Sequence, residues 1–213
     1  MGTIHPGARV DRCVLDDVGL VMSGLLGEPC TTKLLGAVLV HDYDTHRHLL
    51  GVGTLAARVA VTAGFSCADA LRIAKAGLFH DIGKLHVDGH ILRMRGPLSL
   101  HDWSLLRAHP EIGEAMLRDA GERCLAAIVR GHHERLDGSG YPDGVRGLQI
   151  RWETRLLSVV DAYDAMRAGR PYAEPIDHEA ALERLVAAHE HFDQEAVGAL
   201  IATIEGKAEA AVS

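Results

Sequence analysis

The stretch Ala76-Gly77-Leu78-Phe79-His80-Asp81-Ile82-Gly83-Lys84 decides how the rest of the chain is interpreted. Its apolar first part ends on an adjacent His and Asp, and Gly83 then permits a sharp turn of the backbone. An imidazole nitrogen and a carboxylate oxygen at one helix end can bind the same metal ion, and Asp81 can bridge two ions. Lys84 adds a positive charge suited to a phosphate oxygen or a leaving group. The stretch predicts part of a metal site whose other ligands lie elsewhere in the chain.

Composition predicts a single helical domain. The chain has 213 residues, of which 47% are hydrophobic and only 4% aromatic, and Ala, Leu and Val dominate the apolar set. This length suits one sizeable domain, and these residue types favour helices over strands. We expect an all-α, single-domain multi-helix bundle, in which residues 1–40 form a short N-terminal helical segment and residues 41–213 form the main domain.

Charge and hydropathy exclude several classes of protein. The formal net charge of −7 gives no general attraction to nucleic acid or to anionic lipid, so neither is an expected partner. The most apolar stretch, residues 20–40, is interrupted by Gly24, Glu28, Pro29 and Lys33 too early for a membrane-spanning helix. No signal peptide is recognisable, and the four cysteines are scattered, which predicts reduced thiols and a cytoplasmic location.

Apolar periodicity and capping residues predict the order of the helices. We expect helices at residues 10–26, 31–40, 69–79, 122–133, 151–166, 177–189 and 193–210, and a long helix that follows the polar residues 41–48 and reaches residue 63. A loop at residues 85–98 should hold one short helical turn near residues 90–92. Ser99 is expected to cap a helix that reaches His109, and Pro110 should break that helix and open the next one.

Eight polar residues are predicted to point inward from these helices: Asp44, His48, His80, Asp81, His109, His132, His133 and Asp161. Burying them without partners would cost roughly several kcal/mol each, and metal ions would satisfy the whole set. The set is larger than one ion needs, so we expect two or three ions bridged by Asp81. Imidazole and carboxylate ligands without thiolate suit iron or manganese, with zinc, nickel or cobalt as alternatives.

Some of these residues also have simpler interpretations. His109 before Pro110 can be a helix-terminal residue, Asp161 can cap a neighbouring backbone, and Asp44 is exposed by default at a helix start. The pair His132-His133 is harder to explain without a metal, because two adjacent buried imidazoles repel each other when both are protonated.

Three motifs in the chain together resemble the HD-GYP domain, a bacterial branch of the HD phosphohydrolase superfamily: His80-Asp81-Ile82-Gly83-Lys84, His132-His133-Glu134-Arg135 and Asp137-Gly138-Ser139-Gly140-Tyr141-Pro142. The resemblance runs from about residue 42 to residue 200. It implies the helical HD fold and a metal-dependent phosphodiesterase that hydrolyses the messenger cyclic di-GMP to linear pGpG, to GMP, or to both. It also implies an active-site role for Lys84 and ligand roles for His48, His80, Asp81, His109, His132, His133 and Asp161.

The resemblance also implies contacts around the metal site. Tyr141 and Arg170 are expected to contact the substrate, and Asp164 is expected to support the ligands. The Gly140-Tyr141-Pro142 loop has three interpretations: a substrate entrance, a surface that binds diguanylate cyclase (GGDEF) domains, or a rigid turn that packs Tyr141 over the metal site. Some family members place Glu where Asp44 stands, and there it helps to hold a third ion.

Two other functions remain open from the sequence. The chain can be an HD-superfamily hydrolase of another nucleotide or cyclic dinucleotide, or a non-catalytic module that binds diguanylate cyclase domains. A homodimer is a possible assembly in each case. The second alternative would normally show lost ligands, and none of the matching positions is lost here.

Overall fold

The structure, a computed structural model, describes residues 17–169 and 174–206. Within these ranges the chain is helical and contains no strand, so the all-α prediction is confirmed. The α-helices are α1 (Asp17–Gly27), α2 (Pro29–His41), α3 (Tyr43–Thr62), α4 (Cys67–Phe79), α5 (Gly89–Leu92), α6 (Leu100–Arg107), α7 (His109–Asp119), α8 (Arg123–Arg130), α9 (Trp152–Ala168), α10 (His178–Ala187) and α11 (Gln194–Ile204). Short 3-10 helices lie at Ile82–His86 and Gly147–Gln149.

The predicted helices are present with shifted ends. α2 begins at Pro29, ahead of the predicted caps, because Pro suits the first turn of a helix, where its missing N–H leaves no bond unmade. α8 ends at Arg130, so the prediction that this helix reaches His133 is wrong, and both histidines lie in the turn that follows. The predicted start of the first helix and end of the last one fall outside the described residues.

The core is built around α3, which packs against α4 on one side and α9 on another. Val52, Ala56 and Val59 of α3 are fully buried. α3 and α4 cross closely because Gly53 and Gly77 lie at the crossing, where a Cβ on Gly77 would come within 2.8 Å of the Gly53 Cα. This crossing sets the start of α3 beside the end of α4, where His80 follows.

The N-terminal helices share this core. Val18 and Leu25 of α1 and Leu35 and Val38 of α2 belong to the same buried cluster as the side chains of α3 and α4. A domain boundary near residue 40 therefore stays a prediction. Among the residues described, no helix is both long enough and apolar enough to cross a membrane.

Gly83 allows the backbone after α4 to touch the start of α7. A Cβ at this position would lie 2.0 Å from the carbonyl oxygen of His109 and 2.8 Å from the amide nitrogen of Gly113. Real atoms do not approach that closely, so any larger residue must push the two segments apart. The contact places Asp81 next to His109.

We expect Gly83→Ala to lower the free energy of unfolding by about 1–3 kcal/mol, because the added methyl group overpacks a contact between two backbones. Thermal or urea unfolding measures the change. Gly24→Ala is the matched control, since Gly24 lies within α1 and has open space around its Cβ position, where Ala stabilises a helix by roughly 0.5–1 kcal/mol. Equal stability of Gly83→Ala and the unmodified protein would contradict this account of the contact.

Candidate metal centre

Seven of the eight predicted ligands converge at the centre of the helices, and they come from five segments of the chain. They are His48 in α3, His80 and Asp81 after α4, His109 at the start of α7, His132 and His133 after α8, and Asp161 in α9. Five are buried almost completely, whereas His48 and His133 are half-buried. The sequence pattern therefore identified a true cluster, although metal binding by these side chains stays a prediction.

The cluster consists of overlapping groups whose ligand atoms lie within 4.8 Å of one another. The groups are Asp81 with His109, His132 and His133; His48 with His80 and Asp81; and His80 with His132 and Asp161. Asp81 belongs to a group on each side of the cluster, which is the position that a bridging carboxylate needs. The overlapping groups offer places for more than one ion.

Hydrogen bonds fix which nitrogen each imidazole presents. Nδ1 of His80, His109 and His132 bonds to the backbone carbonyl three residues earlier, at 2.8, 2.6 and 2.6 Å. Because a carbonyl only accepts, Nδ1 carries the proton and Nε2 keeps its lone pair. Nδ1 of His48 bonds instead to a carboxylate oxygen of Asp164 at 2.6 Å, so Asp164 supports a predicted ligand as expected.

The Nε2 atoms then face each other in pairs. The Nε2 atoms of His48 and His80 are 3.2 Å apart, and the same distance separates those of His109 and His132. Asp81 Oδ1 is buried 3.0 Å from Nε2 of His109, yet it accepts no hydrogen bond, since that nitrogen has no proton in this tautomer. Facing lone pairs and an unsatisfied carboxylate oxygen require positive charge between them, so the residues fit divalent metal ions.

The electrostatics of the cluster show the same need for cations. Burial opposes a charge on His80, but the carboxylates of Asp81 and Asp161 outweigh it and raise the pKa of this histidine to about 10. Burial and the neighbouring rings of His80 and His109 lower the pKa of His132 to about 3. Asp81 keeps a pKa well below its usual value, since Lys84 and the histidines overcome the effect of burial. These shifts leave the carboxylates ionised, His80 protonated and His132 neutral, and a divalent ion bound at Nε2 of His80 would take the place of its second proton.

A cavity of about 560 Å³ opens beside the cluster, and His48 and Lys84 belong to its wall. The ammonium group of Lys84 pairs with Oδ2 of Asp81, so this lysine links the cavity to the centre of the cluster. Arg170, a predicted substrate contact, lies outside the described residues, but the flanking residues Gly169 and Glu174 line the cavity. A ligand in this cavity would meet both Lys84 and the edge of the cluster.

A family model described as an HD domain matches residues 30–196. The chain belongs to the HD domain family. Bd1817, an HDG"Y"P protein from Bdellovibrio bacteriovorus, has a TM-score of 0.66 to this HD domain at 21% sequence identity, covering 90% of this chain and 62% of the other. At that identity the likeness shows the fold alone, and it confirms the predicted HD fold.

Curated relatives support the HD-GYP resemblance. The cyclic di-GMP phosphodiesterase response regulator RpfG of Xanthomonas campestris pv. campestris is 35% identical over 174 residues, which are 80% of this HD domain chain and 46% of RpfG. The 3'3'-cGAMP-specific phosphodiesterase 3 of Vibrio cholerae is 40% identical over 127 residues, or 58% of this chain and 28% of that protein. The chain spans less than half the length of these two relatives.

Asp44 is the predicted ligand that lies apart from the cluster. Its side chain is 72% exposed and forms an ion pair with Arg47 at 3.7 Å, so the expectation that it lies on the buried face of the helix is wrong. The buried acid at this helix start is Asp42, whose carboxylate accepts hydrogen bonds from the backbone and the hydroxyl of Thr45. Asp44 lies in the first turn of α3, where none of the described residues buries its carboxylate.

The Tyr141 ring packs against the cluster. It stacks on the ring of His133 with 4.7 Å between centroids, and the guanidinium of Arg107 lies 4.3 Å from the centre of the Tyr141 ring. Of the three interpretations of this loop, the packing of Tyr141 over the site is the one that these contacts favour. A direct contact of Tyr141 with substrate stays a prediction.

Two residues that hold the loop were missed in the sequence. Glu134 is buried, and its carboxylate accepts hydrogen bonds from the amides of Asp143 and Gly144 at 2.7 and 3.1 Å. Arg130 pairs with Asp143 through two contacts of 2.7 Å. Glu134 could have been found from its position directly after two histidines that were predicted to point inward. An acidic side chain is rarely buried unless it has partners, so a buried Glu134 would have predicted hydrogen bonds to nearby groups.

We expect Asp81→Ala to lose most of the divalent metal bound by the protein, because this carboxylate is shared by the groups on both sides of the cluster. Elemental analysis of the purified variant, with circular dichroism to verify folding, makes the measurement. Full metal content in a folded variant would remove Asp81 from the ligand set.

The matched control is Asp44→Ala, which removes a carboxylate of the same size from an exposed position outside the cluster. We expect its ratio of metal to protein to equal that of the unmodified protein. A loss of one ion in this control would restore Asp44 as a ligand.

Proposed function

We propose that this HD domain is a metal-dependent phosphodiesterase that hydrolyses cyclic di-GMP. The observation that carries the proposal is the cluster around Asp81, which collects seven potential ligands and opens beside Lys84 into a cavity. RpfG and the Vibrio cholerae relative are both named as phosphodiesterases of cyclic dinucleotides, which supports this class of substrate. The chain is acidic, with a formal net charge of −7, so a long nucleic acid is a poor alternative substrate.

We further propose that the cluster holds two divalent ions, iron or manganese, with Asp81 between them. His48, His80 and Asp161 would hold one ion, and the second would be held by the three histidines His109, His132 and His133. The exposed carboxylate of Asp44 argues against the third ion that the sequence allowed. Imidazole and carboxylate ligands without thiolate support iron or manganese over softer choices.

Divalent ions in such a site lower the pKa of a water molecule and supply the nucleophile for a phosphodiester near neutral pH. The residues of the chain then have distinct tasks. The carbonyl-bonded histidines hold their Nε2 atoms rigidly towards the centre, so little reorganisation is needed when substrate binds. Lys84, at the cavity edge, places a positive charge where a phosphate oxygen or the departing ribose oxygen would lie.

The product that this arrangement favours is linear pGpG. The cluster acts on one phosphodiester at a time, so pGpG is the first product. Without Asp44 as a ligand there is no third ion whose charge would favour hydrolysis of pGpG to GMP. A second candidate substrate is 3'3'-cGAMP, which contains the same ring of two phosphodiesters and is named for the relative of 40% identity. Assays with cyclic di-GMP, 3'3'-cGAMP and cyclic di-AMP, each followed by product chromatography, discriminate among these substrates.

Binding of GGDEF domains by the Gly140-Tyr141-Pro142 loop, formation of a homodimer and a cytoplasmic location all stay predictions. The packing of Tyr141 against His133 leaves Asp137, Ser139 and Asp143 as the more exposed residues of the loop. A protein partner would therefore meet mainly acidic and hydroxyl groups there.

The decisive test of the function compares protein reconstituted anaerobically with Fe²⁺ or Mn²⁺ against protein treated with a chelator. We expect conversion of cyclic di-GMP to pGpG by the metal-loaded form and none by the chelated form. A folded, metal-loaded protein that hydrolyses no cyclic dinucleotide would refute the proposal.

Lys84→Met keeps the length of the side chain and removes its charge. We expect the variant to retain its metal and to lose turnover of cyclic di-GMP by about 10²–10³-fold, as is typical when one group that stabilises charge in the transition state is removed. Lys33→Met on the exposed face of α2 is the matched control and should leave turnover unchanged. Unchanged turnover at saturating substrate in Lys84→Met would limit Lys84 to its ion pair with Asp81.

A further inference from the structure

Charged side chains of both signs line the cavity beside the metal centre. Four are basic, Arg47, Lys84, Arg93 and Arg95, and three are acidic, Asp42, Asp44 and Glu174. The basic side chains outnumber the acidic ones, so the cavity can accept an anion wherever a basic group has no acidic partner. The net charge of the whole chain is −7, so this local arrangement is not a consequence of a generally basic surface.

Three of the four cations have a carboxylate partner. Lys84 pairs with Asp81, Arg47 lies 3.7 Å from Asp44, and Arg93 lies 3.5 Å from Asp42.

Arg95 differs from these three. It is exposed, and within residues 17–169 and 174–206 no hydrogen bond or ion pair is found for its side chain. An unpaired guanidinium in a cavity wall keeps all of its donors available for a ligand.

The neighbouring Arg93, in contrast to Arg95, makes several contacts with the protein. Its Nη1 also contacts the carbonyl oxygen of His41 at 3.4 Å, and its guanidinium lies over Gly89, where a Cβ would come within 2.5 Å of Nη2. Arg93 is thus held by the protein itself. Arg95, two positions later in the same loop, has no comparable contact to the described residues.

Apolar side chains line the same cavity as Arg95. Leu92 ends α5, Leu98 precedes α6, Leu106 lies near the end of α6, and all three line the same cavity. A surface that combines aliphatic side chains with one directed cation suits a nucleotide, because the base can pack against the leucines while the phosphate meets the guanidinium.

We propose that Arg95 holds the second phosphodiester of a bound cyclic dinucleotide, the one that is not being cut. This inference rests on the proposed function. The ring of such a substrate joins two phosphates, so a phosphate at Lys84 and His48 places the other one in the cavity, where Arg95 lines the wall. Arginine is well matched to this task, since its planar guanidinium can donate two parallel hydrogen bonds to phosphate oxygens. Arg95 is thereby a positioning residue that selects substrates with two phosphodiesters.

The test compares Arg95→Gln, Arg95→Lys and the unmodified protein on two substrates. Cyclic di-GMP contains the second phosphodiester, whereas bis(p-nitrophenyl) phosphate has only the one that is cut. For Arg95→Gln we expect the KM for cyclic di-GMP to rise about 10-fold with kcat almost unchanged, the loss typical of one charge-assisted hydrogen bond at an exposed site. Kinetics on bis(p-nitrophenyl) phosphate should not change, and Arg95→Lys should recover part of the affinity for cyclic di-GMP.

A binding measurement provides a second readout that needs no turnover. The Kd of a non-hydrolysable phosphorothioate analogue of cyclic di-GMP should increase by a similar factor in Arg95→Gln. Arg123→Gln is the matched control, because it removes an equal charge from an exposed position at the start of α8 that does not line the cavity.

The outcomes separate the inference from the function on which it rests. If the unmodified protein hydrolyses cyclic di-GMP and Arg95→Gln keeps its KM and Kd, the inference is overturned and the proposed function stands. Equal losses on both substrates would assign Arg95 a structural role and also overturn the inference. If the unmodified protein cleaves bis(p-nitrophenyl) phosphate but no cyclic dinucleotide, the proposed function fails and the inference fails with it.

Discussion

The hydrogen bond from Nδ1 of a histidine to the carbonyl three residues earlier is the interaction on which the centre of this HD domain depends. It occurs at His80, His109 and His132, at the ends of α4, α6 and α8. The last carbonyls of a helix have no partner within the helix, so each histidine satisfies one of them. The same bond that completes a helix end also fixes the tautomer and aims Nε2 at the centre. At each of these three histidines, one hydrogen bond therefore both completes the helix end and orients a potential ligand.

This dependence explains the close packing around the site. Helix ends can meet only if the helices that carry them approach closely, and glycines supply the space at two places. Gly53 and Gly77 let α3 and α4 cross, and Gly83 lets the backbone after α4 touch the start of α7. From the sequence, Gly83 was predicted only to permit a turn of the backbone. Its second role, contact with the backbone of His109, depends on a neighbour distant in sequence and was invisible to local reasoning.

Local sequence patterns predict the direction of a side chain better than its neighbours from distant parts of the chain. His80 and Asp81 could be predicted because a buried helix must end there and both side chains then face inward. Asp44 was placed wrongly because helical periodicity gives the direction of a side chain but not whether another element covers it, and the Asp44 side chain is 72% exposed among the described residues. Glu134 was missed for the opposite reason, since its partners are loop amides at Asp143 and Gly144 that no periodic pattern predicts.

The charges of the cavity show how an acidic protein can receive an anionic ligand. Asp42 and Asp44 neutralise two of the arginines in the wall, and Asp81 neutralises Lys84 until a phosphate competes for it. The net charge of −7 disfavours extended polyanions, so attraction of an anion depends on local contacts. A ligand in the cavity lies between the edge of the cluster and Arg95, whose guanidinium has no partner among the described residues. If Arg95 holds the second phosphate as proposed, selectivity would come from two separate contacts, because a ring with two phosphates can meet both Lys84 and Arg95 whereas a single phosphodiester meets only one of them.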